Sequence, residues 1–434
     1  MSSVLKTTTM RSLPIFFSLV LCASCIQQKQ ESITGKEDYN HYLQSKPATT
    51  SSKYFDLWNS KIQPDSMQLT SFGIVAGEYD RYFKNTGEVR FLKKAGQALE
   101  KAVEIAAVGK ADYQRALARN YISQHRFREA LVLANSARSL GSGVTGSQNL
   151  LFDVHMELGN YDKAKKYLDS TINMSDFGYL IRLAKWSDYK GDLENTIRFM
   201  EKAKLKAESA RNKTLRLWSY TNLADYYGHA GRIKESYDHY LKSLELDPQN
   251  AYAKKGIAWI VFSYEKNPRE ALRILDSVTQ TFKAPDYYLL KAEIADFMGD
   301  DRGFLSNLDL YFKTMCDPQY GSMYNMYNIG LYTDQTQQYD LALELAKKEV
   351  QQRPTPEVFG LLAYAYYKRG DLEPALAITE QQIFGKTHEP AVLMQAAEIY
   401  SATCNTDRVK ELKPGLLGAI YELGPAAESK IINL

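Results

Sequence analysis

An all-α solenoid, made by stacking helix-turn-helix repeats, is the fold class that this 434-residue sequence predicts. The first observation is a phrase that returns about every 35 residues: a Gly or other turn-former, an apolar residue, then a small residue three further on. It reads Phe127/Ala130, Gly159-Asn160-Tyr161/Ala164, Gly191-Asp192-Leu193/Thr196, Gly231-Arg232-Ile233/Ser236, Tyr339/Ala342 and Gly370-Asp371-Leu372/Ala375. The second is that apolar residues between these phrases keep a 3.6-residue period, while strand-type alternation is nearly absent. A period of this length marks supersecondary units that cannot bury their apolar faces alone and must stack.

The first segment stands outside the array. Lys6 and Arg11 precede the apolar run Leu13 to Ala23, which ends at Ser24-Cys25. Positive, then apolar, then small is the order of a secretory signal, and about 11 apolar residues are too few to span about 30 Å of hydrocarbon. Ala23-Ser24-Cys25 resembles the lipobox of bacterial lipoproteins, with Cys22 where that pattern usually has Leu. The resemblance implies a signal peptide over 1–24 and acylation of Cys25, hence an anchor in the bacterial outer membrane. Met10 is an alternative start. The polar run Gln27 to Asp38 predicts a flexible tether over 25–53, and the solenoid is expected over 54–434.

Aligning the phrases places ten turns near Val89, Phe127, Tyr161, Leu193, Ile233, Pro268, Asp301, Tyr339, Leu372 and Val409, hence about ten helical hairpins. The spacing is uneven. Its longest interval, 40 residues from Leu193 to Ile233, contains the polar stretch Glu208 to Thr214, which predicts a lengthened loop between hairpins.

The clearest copy runs from Leu217 to Asn250, with Leu223, Ala224, Tyr227, Gly231, Ser236, Tyr240 and Pro248 at defined spacing. This segment resembles the tetratricopeptide repeat, a 34-residue helix-turn-helix. Ile329, Gly330, Ala342, Ala346 and Pro354 form a second copy, and Leu362, Ala363, Tyr366, Gly370 and Ala375 a third. Small residues let paired helices approach, aromatics fill the space between hairpins, Gly ends the first helix and Pro stops the second.

Little in the chain suggests catalysis. The histidines His41, His125, His155, His229, His239 and His388 form no HExxH pair, and neither a Walker phosphate loop nor a dinucleotide fingerprint occurs. Gly141-Ser142-Gly143 lacks the Lys and the preceding strand of a phosphate loop and reads as a linker. No metal or cofactor is expected. Without the first 24 residues, 54 basic and 51 acidic residues become 52 and 51, a balance that gives no footprint for nucleic acid. Cys316 and Cys404 lie about three repeats apart and are expected as unpaired thiols.

The family that these repeats resemble lines its concave groove with the first helix of each hairpin. That resemblance carries the groove to Arg115, Arg119, Lys185, Asp188, Tyr189, Trp218, Asp225, His229, Tyr324, Tyr327, Tyr364, Tyr367 and Lys368. Such a lining suits an extended peptide, since Tyr and Trp give contact area for little rotamer entropy and Arg adds charge-assisted bonds. The expected function is a non-enzymatic scaffold or assembly factor, lipid-anchored in the bacterial envelope, that binds another envelope protein or peptide segment. The alternative is a glycan- or nutrient-binding outer-membrane lipoprotein that partners an uptake channel, although the long insertions that build such sugar sites are missing. The sequence leaves the periplasmic and cell-surface faces equally open.

Overall fold

The computed structural model describes residues 32–434 apart from 45, 47, 48 and 64. The signal segment and the acylation call at Cys25 lie outside the described residues. A short helix, Lys53–Asn59, leads into ten antiparallel helical hairpins. The first five are Leu69–Thr86 with Val89–Ile105, Lys110–Ser123 with Phe127–Ser139, Val144–Glu157 with Tyr161–Asp169, Phe177–Tyr189 with Leu193–Ser209, and Lys213–His229 with Ile233–Leu246. The second five are Ala251–Trp259 with Pro268–Thr279, Asp286–Phe297 with Asp301–Met315, Asn325–Asp334 with Tyr339–Gln352, Pro356–Arg369 with Leu372–Ile378, and Pro390–Ala402 with Thr406–Gly418. Ile260–Tyr264 and Thr379–Ile383 continue their helices as π-helical turns, and two short helices, Ile420–Leu423 and Ala427–Ile432, close the chain. No strand occurs among the described residues, and no helix there is long and apolar enough to cross a membrane.

Each turn residue read from the sequence except Val409 opens a second helix; there the helix starts at Thr406. The 40-residue interval is not a long loop. Leu193–Ser209 and Lys213–His229 are 17 residues each and leave only 210–212 between them, because the run 201–208 that leads into the polar stretch is rich in Ala, Lys and Glu, which favour helix, and Asn212 caps the next helix by accepting from Leu215 N at 3.1 Å.

The small residue of every phrase is fully buried: Ala130, Ala164, Thr196, Ser236, Ala342 and Ala375. These positions set how closely paired helices cross, and their neighbours complete a core that runs as successive clusters along the array. His155, at the aromatic position of its repeat, is likewise buried and stacks on Tyr167 with ring centroids 5.6 Å apart. Gly141-Ser142-Gly143 is a linker held by Arg115, whose guanidinium donates to Ser142 O at 2.7 Å and Ser147 Oγ at 3.0 Å.

The array coils until it meets itself. Lys283 N donates to Thr86 O at 2.7 Å, Arg128 to Gln351 O, Arg353 to Glu157 Oε2 at 3.3 Å, and both Trp259 Nε1 and Ser263 Oγ to Tyr421 O at 3.0 and 2.7 Å. Glu157 and Arg353 are 196 residues apart, nearly the interval between Gly87 and Ala284 or between Gly191 and His388, which also adjoin. One superhelical turn therefore takes about six hairpins. The turns within hairpins one to six rest against the loops that follow hairpins six to ten, forming a seam between the two layers. Gly159 shows how tight it is: its φ is +68°, and a Cβ there would lie 2.7 Å from Pro354 O.

The tether expected over 25–53 needs correction for residues 32–43, which are docked. Glu265 Oε1 accepts from Ile33 N at 2.8 Å and Thr34 N at 2.7 Å, and its Oε2 accepts from Thr34 Oγ1 at 2.9 Å. Tyr39 is buried in the core of the sixth hairpin and donates to Glu270 at 2.8 Å, which also pairs with Lys36 at 2.8 Å. Polar composition predicted freedom, but Ile33, Tyr39, Tyr42 and Leu43 bring enough apolar surface to offset the ordering entropy.

Candidate functional site

First helices of successive hairpins are joined on one face by a ladder of polar contacts. Arg182 pairs with Asp153 at 2.5 Å and Lys185 with Glu157 at 2.9 Å; Tyr252 donates to Asp225 at 2.7 Å; Lys255 pairs with Asp286 at 2.6 Å; Tyr324 donates to Asp286 at 3.3 Å. The ladder continues with Lys368 to Asp334 at 3.3 Å and Tyr364 to Glu398 at 3.0 Å. Because the seam joins the layers at their edges, this face is the wall of an interior hollow. Tyr252 and Tyr327 show its character. They are 50% and 49% exposed, yet burial pushes both phenols up, with the charge of Asp225 adding at Tyr252 and that of Asp286 at Tyr327. Solvent reaches the rings, but protein surrounds them.

Most of the sequence-derived groove residues sit on this wall. Trp218 is exposed and meets Phe177 edge-on at 6.0 Å, and Tyr324 packs at 5.5 Å from Tyr327. Asp225 accepts from Tyr240 as well as Tyr252, and burial holds its carboxyl above the usual range. Tyr367 packs at 5.7 Å from Tyr364, and Lys368 lies 5.3 Å from the Tyr364 ring centre. Two assignments need correction. Tyr364 is only 6% exposed and backs the wall rather than lining it, because its hydroxyl is drawn to Glu398 on the tenth hairpin. Arg115 is buried as the linker clamp, while Arg119, one helical turn on, is exposed.

Lys185, at the edge of this wall, converges with Asp188, Tyr189 and His229 in a seam cleft of about 380 Å³ between hairpins three to five and the segments that follow hairpins eight to ten. Glu157 is the charged hinge of this cleft. Burial raises its pKa, but Lys185 and Arg353 outweigh that and hold it low. His229 Nδ1 lies 2.6 Å from Glu422; burial disfavours the imidazolium, and Glu422 overcomes it and keeps the pKa raised. Asp188 and Glu389 are exposed, yet desolvation by the protein around them pushes both up, with Glu422 adding to both. Sequence reasoning missed Glu157, Arg353, Thr355, Glu389 and Glu422, since a contact across a superhelical turn leaves no mark at the local spacing. Among the described residues no group of three or more His, Cys, Asp or Glu is placed to hold a metal, and Cys316 and Cys404 are exposed free thiols.

A family model for the tetratricopeptide repeat matches residues 219–250, the fifth hairpin. The fifth hairpin is a tetratricopeptide repeat. Such repeats serve as protein-interaction scaffolds, and the other hairpins repeat the same architecture with diverged sequence. No curated protein matches the chain by sequence. Among solved structures, the human IFIT1 dimer with m7Gppp-AAAA is similar at 14% identity and a TM-score of 0.46, covering 80% of this chain and 76% of that one. PilF of Pseudomonas aeruginosa is similar at 15% identity and 0.37, covering 48% of this chain and 94% of that one. A tetratricopeptide repeat protein from Parabacteroides merdae gives 13% identity and 0.38, with 57% and 94% covered.

Proposed function

We propose that this chain is a non-enzymatic scaffold of the bacterial cell envelope, held at the outer membrane through lipid on Cys25, which binds an extended segment of a partner protein inside its superhelix. The observation that carries the reading is the band of Tyr252, Tyr324 and Tyr327 with Asp225 and Asp286, rings open to solvent on a wall otherwise enclosed by protein. Rigid phenols that already face one another lose little entropy on binding, and their hydroxyls accept and donate along a peptide backbone. The envelope location rests on the sequence of the first 25 residues.

Two experiments test the two halves. Tyr327→Ala combined with Tyr252→Ala should reduce co-purification of the partner, each true anchor costing about 2 kcal/mol or more, with helicity unchanged. A partner captured equally well by the double variant would remove the band from the interface. Metabolic labelling with a fatty-acid analogue should mark the wild type and not Cys25→Ser, and equal labelling would remove the anchor site.

A further inference from the structure

The seam cleft is short of positive charge. Glu157 is paired with Lys185 at 2.9 Å and Arg353 at 3.3 Å, and Glu422 with His229 at 2.6 Å. Three more carboxyls in the same lining, Asp188, Glu357 and Glu389, make no ion pair among the described residues. The walls beside them are aromatic, with Tyr161 stacked on Tyr189 at 4.0 Å between centroids and Tyr226 opposite in the lining. A second, independent feature points to a missing occupant. Thr355 is 2% exposed and lines the cleft, it does not cap the helix Pro356–Arg369 that it precedes, and its Oγ1 has no hydrogen-bond partner.

We propose that the seam cleft is a receptor for one cationic group, a primary ammonium or a guanidinium, carried by a lysine or arginine side chain of the bound segment. The inference rests on reading the interior as the partner surface and adds the chemistry that the partner must present. Ammonium and guanidinium groups have three and five N–H donors and no acceptor, matching carboxylates and a free hydroxyl oxygen. Tyrosine faces attract the same cation through their quadrupoles. Charge sets the direction. Glu422, Glu357 and Asp188 each repel the Glu389 carboxylate, and Glu422 repels Asp188, so an arriving cation relieves a strain that an anion would increase. A free polyamine offers the same chemistry from a different source.

The test is calorimetric titration of the purified full-length chain with three probes: a blocked Gly-Arg-Gly tripeptide, the same tripeptide with citrulline, and spermidine. The arginine peptide should bind, the citrulline peptide should bind at least tenfold more weakly, and Asp188→Asn with Glu389→Gln should weaken the arginine peptide tenfold or more. Both substitutions remove repulsion, so the thermal midpoint should not fall; Val132→Ser on the exposed outer surface serves as control. Equal binding of the arginine and citrulline peptides, or unchanged binding in the double variant, overturns the proposal. Binding of spermidine without the arginine peptide overturns the side-chain source. Failure of the tyrosine-band reading would show only in partner capture and would leave peptide binding in place.

Discussion

Replacing Gly159 with Ala isolates what the seam contributes, provided it is compared with Gly231→Ala. The two glycines occupy equivalent turns of the third and fifth hairpins with φ of +68° and +70°, so each alanine pays the same left-handed backbone cost of about 1 kcal/mol. Their surroundings differ. A Cβ at Gly231 meets nothing within 4 Å, whereas at Gly159 it would sit 2.7 Å from Pro354 O and 3.2 Å from its carbonyl carbon. Backbone cannot rotate away as a long side chain can, so the upper layer must lift, at a further cost of about 1–3 kcal/mol by the usual scale of overpacking. The expected losses are therefore about 2–4 kcal/mol for Gly159→Ala and about 1 kcal/mol for Gly231→Ala. A stacked array need not unfold in one step, so chemical denaturation should be read together with amide hydrogen exchange. Exchange should accelerate at 351–359 in the Gly159 variant and not in the other. Equal destabilisation, with 351–359 equally protected in both, would mean that the layers do not bear on one another.

Two further outcomes follow from local packing and charge. Ala224 is fully buried where two helices cross, so Ala224→Trp should cost roughly 1–3 kcal/mol and raise hydrogen exchange in hairpins four to six before the ends; uniform loosening from 54 to 434 would indicate one undivided core. Burial raises Glu270, but hydrogen bonds from Arg273, Lys36 and Tyr39 outweigh it and bring the carboxyl down to about 2. A depressed carboxylate gives its full stabilisation above an unfolded value of about 4.5 and loses it as pH falls through about 2, up to about 3 kcal/mol. Glu270→Gln should remove that acid dependence and free residues 33–43 to exchange at neutral pH; unchanged protection there would detach the carboxylate from the docking.

The repeats were readable because each hairpin carries its own instruction. A small residue at the crossing, as at Ala164 or Ser236, and a turn-former two or three residues before the second helix are local features, and they located nine of ten second helices to the residue. Polarity alone does not separate a loop or a tether from ordered helix. Glu208 to Thr214 is polar yet helix-favouring over most of its length, and 32–43 carries only a few apolar residues, but Tyr39 alone supplies a buried ring and a bond to Glu270. The wall of the hollow was recoverable by analogy between repeats, which brought Asp225, Tyr324 and Tyr327 to one face. The seam was not recoverable. Pairing Glu157 with Arg353 depends on how much each hairpin rotates relative to the last, and small angles summed over six hairpins leave no signature in residue identity.

The central claim is that the partner enters the hollow rather than resting on the outer surface. Site-specific photo-crosslinking tests it directly, with a benzophenone amino acid placed in living cells at position 327 on the inner wall or at position 132 on the outer face. The account predicts a partner adduct from 327, lost when Tyr252 is also replaced by Ala, and none from 132. An adduct from 132 with none from 327 would contradict it.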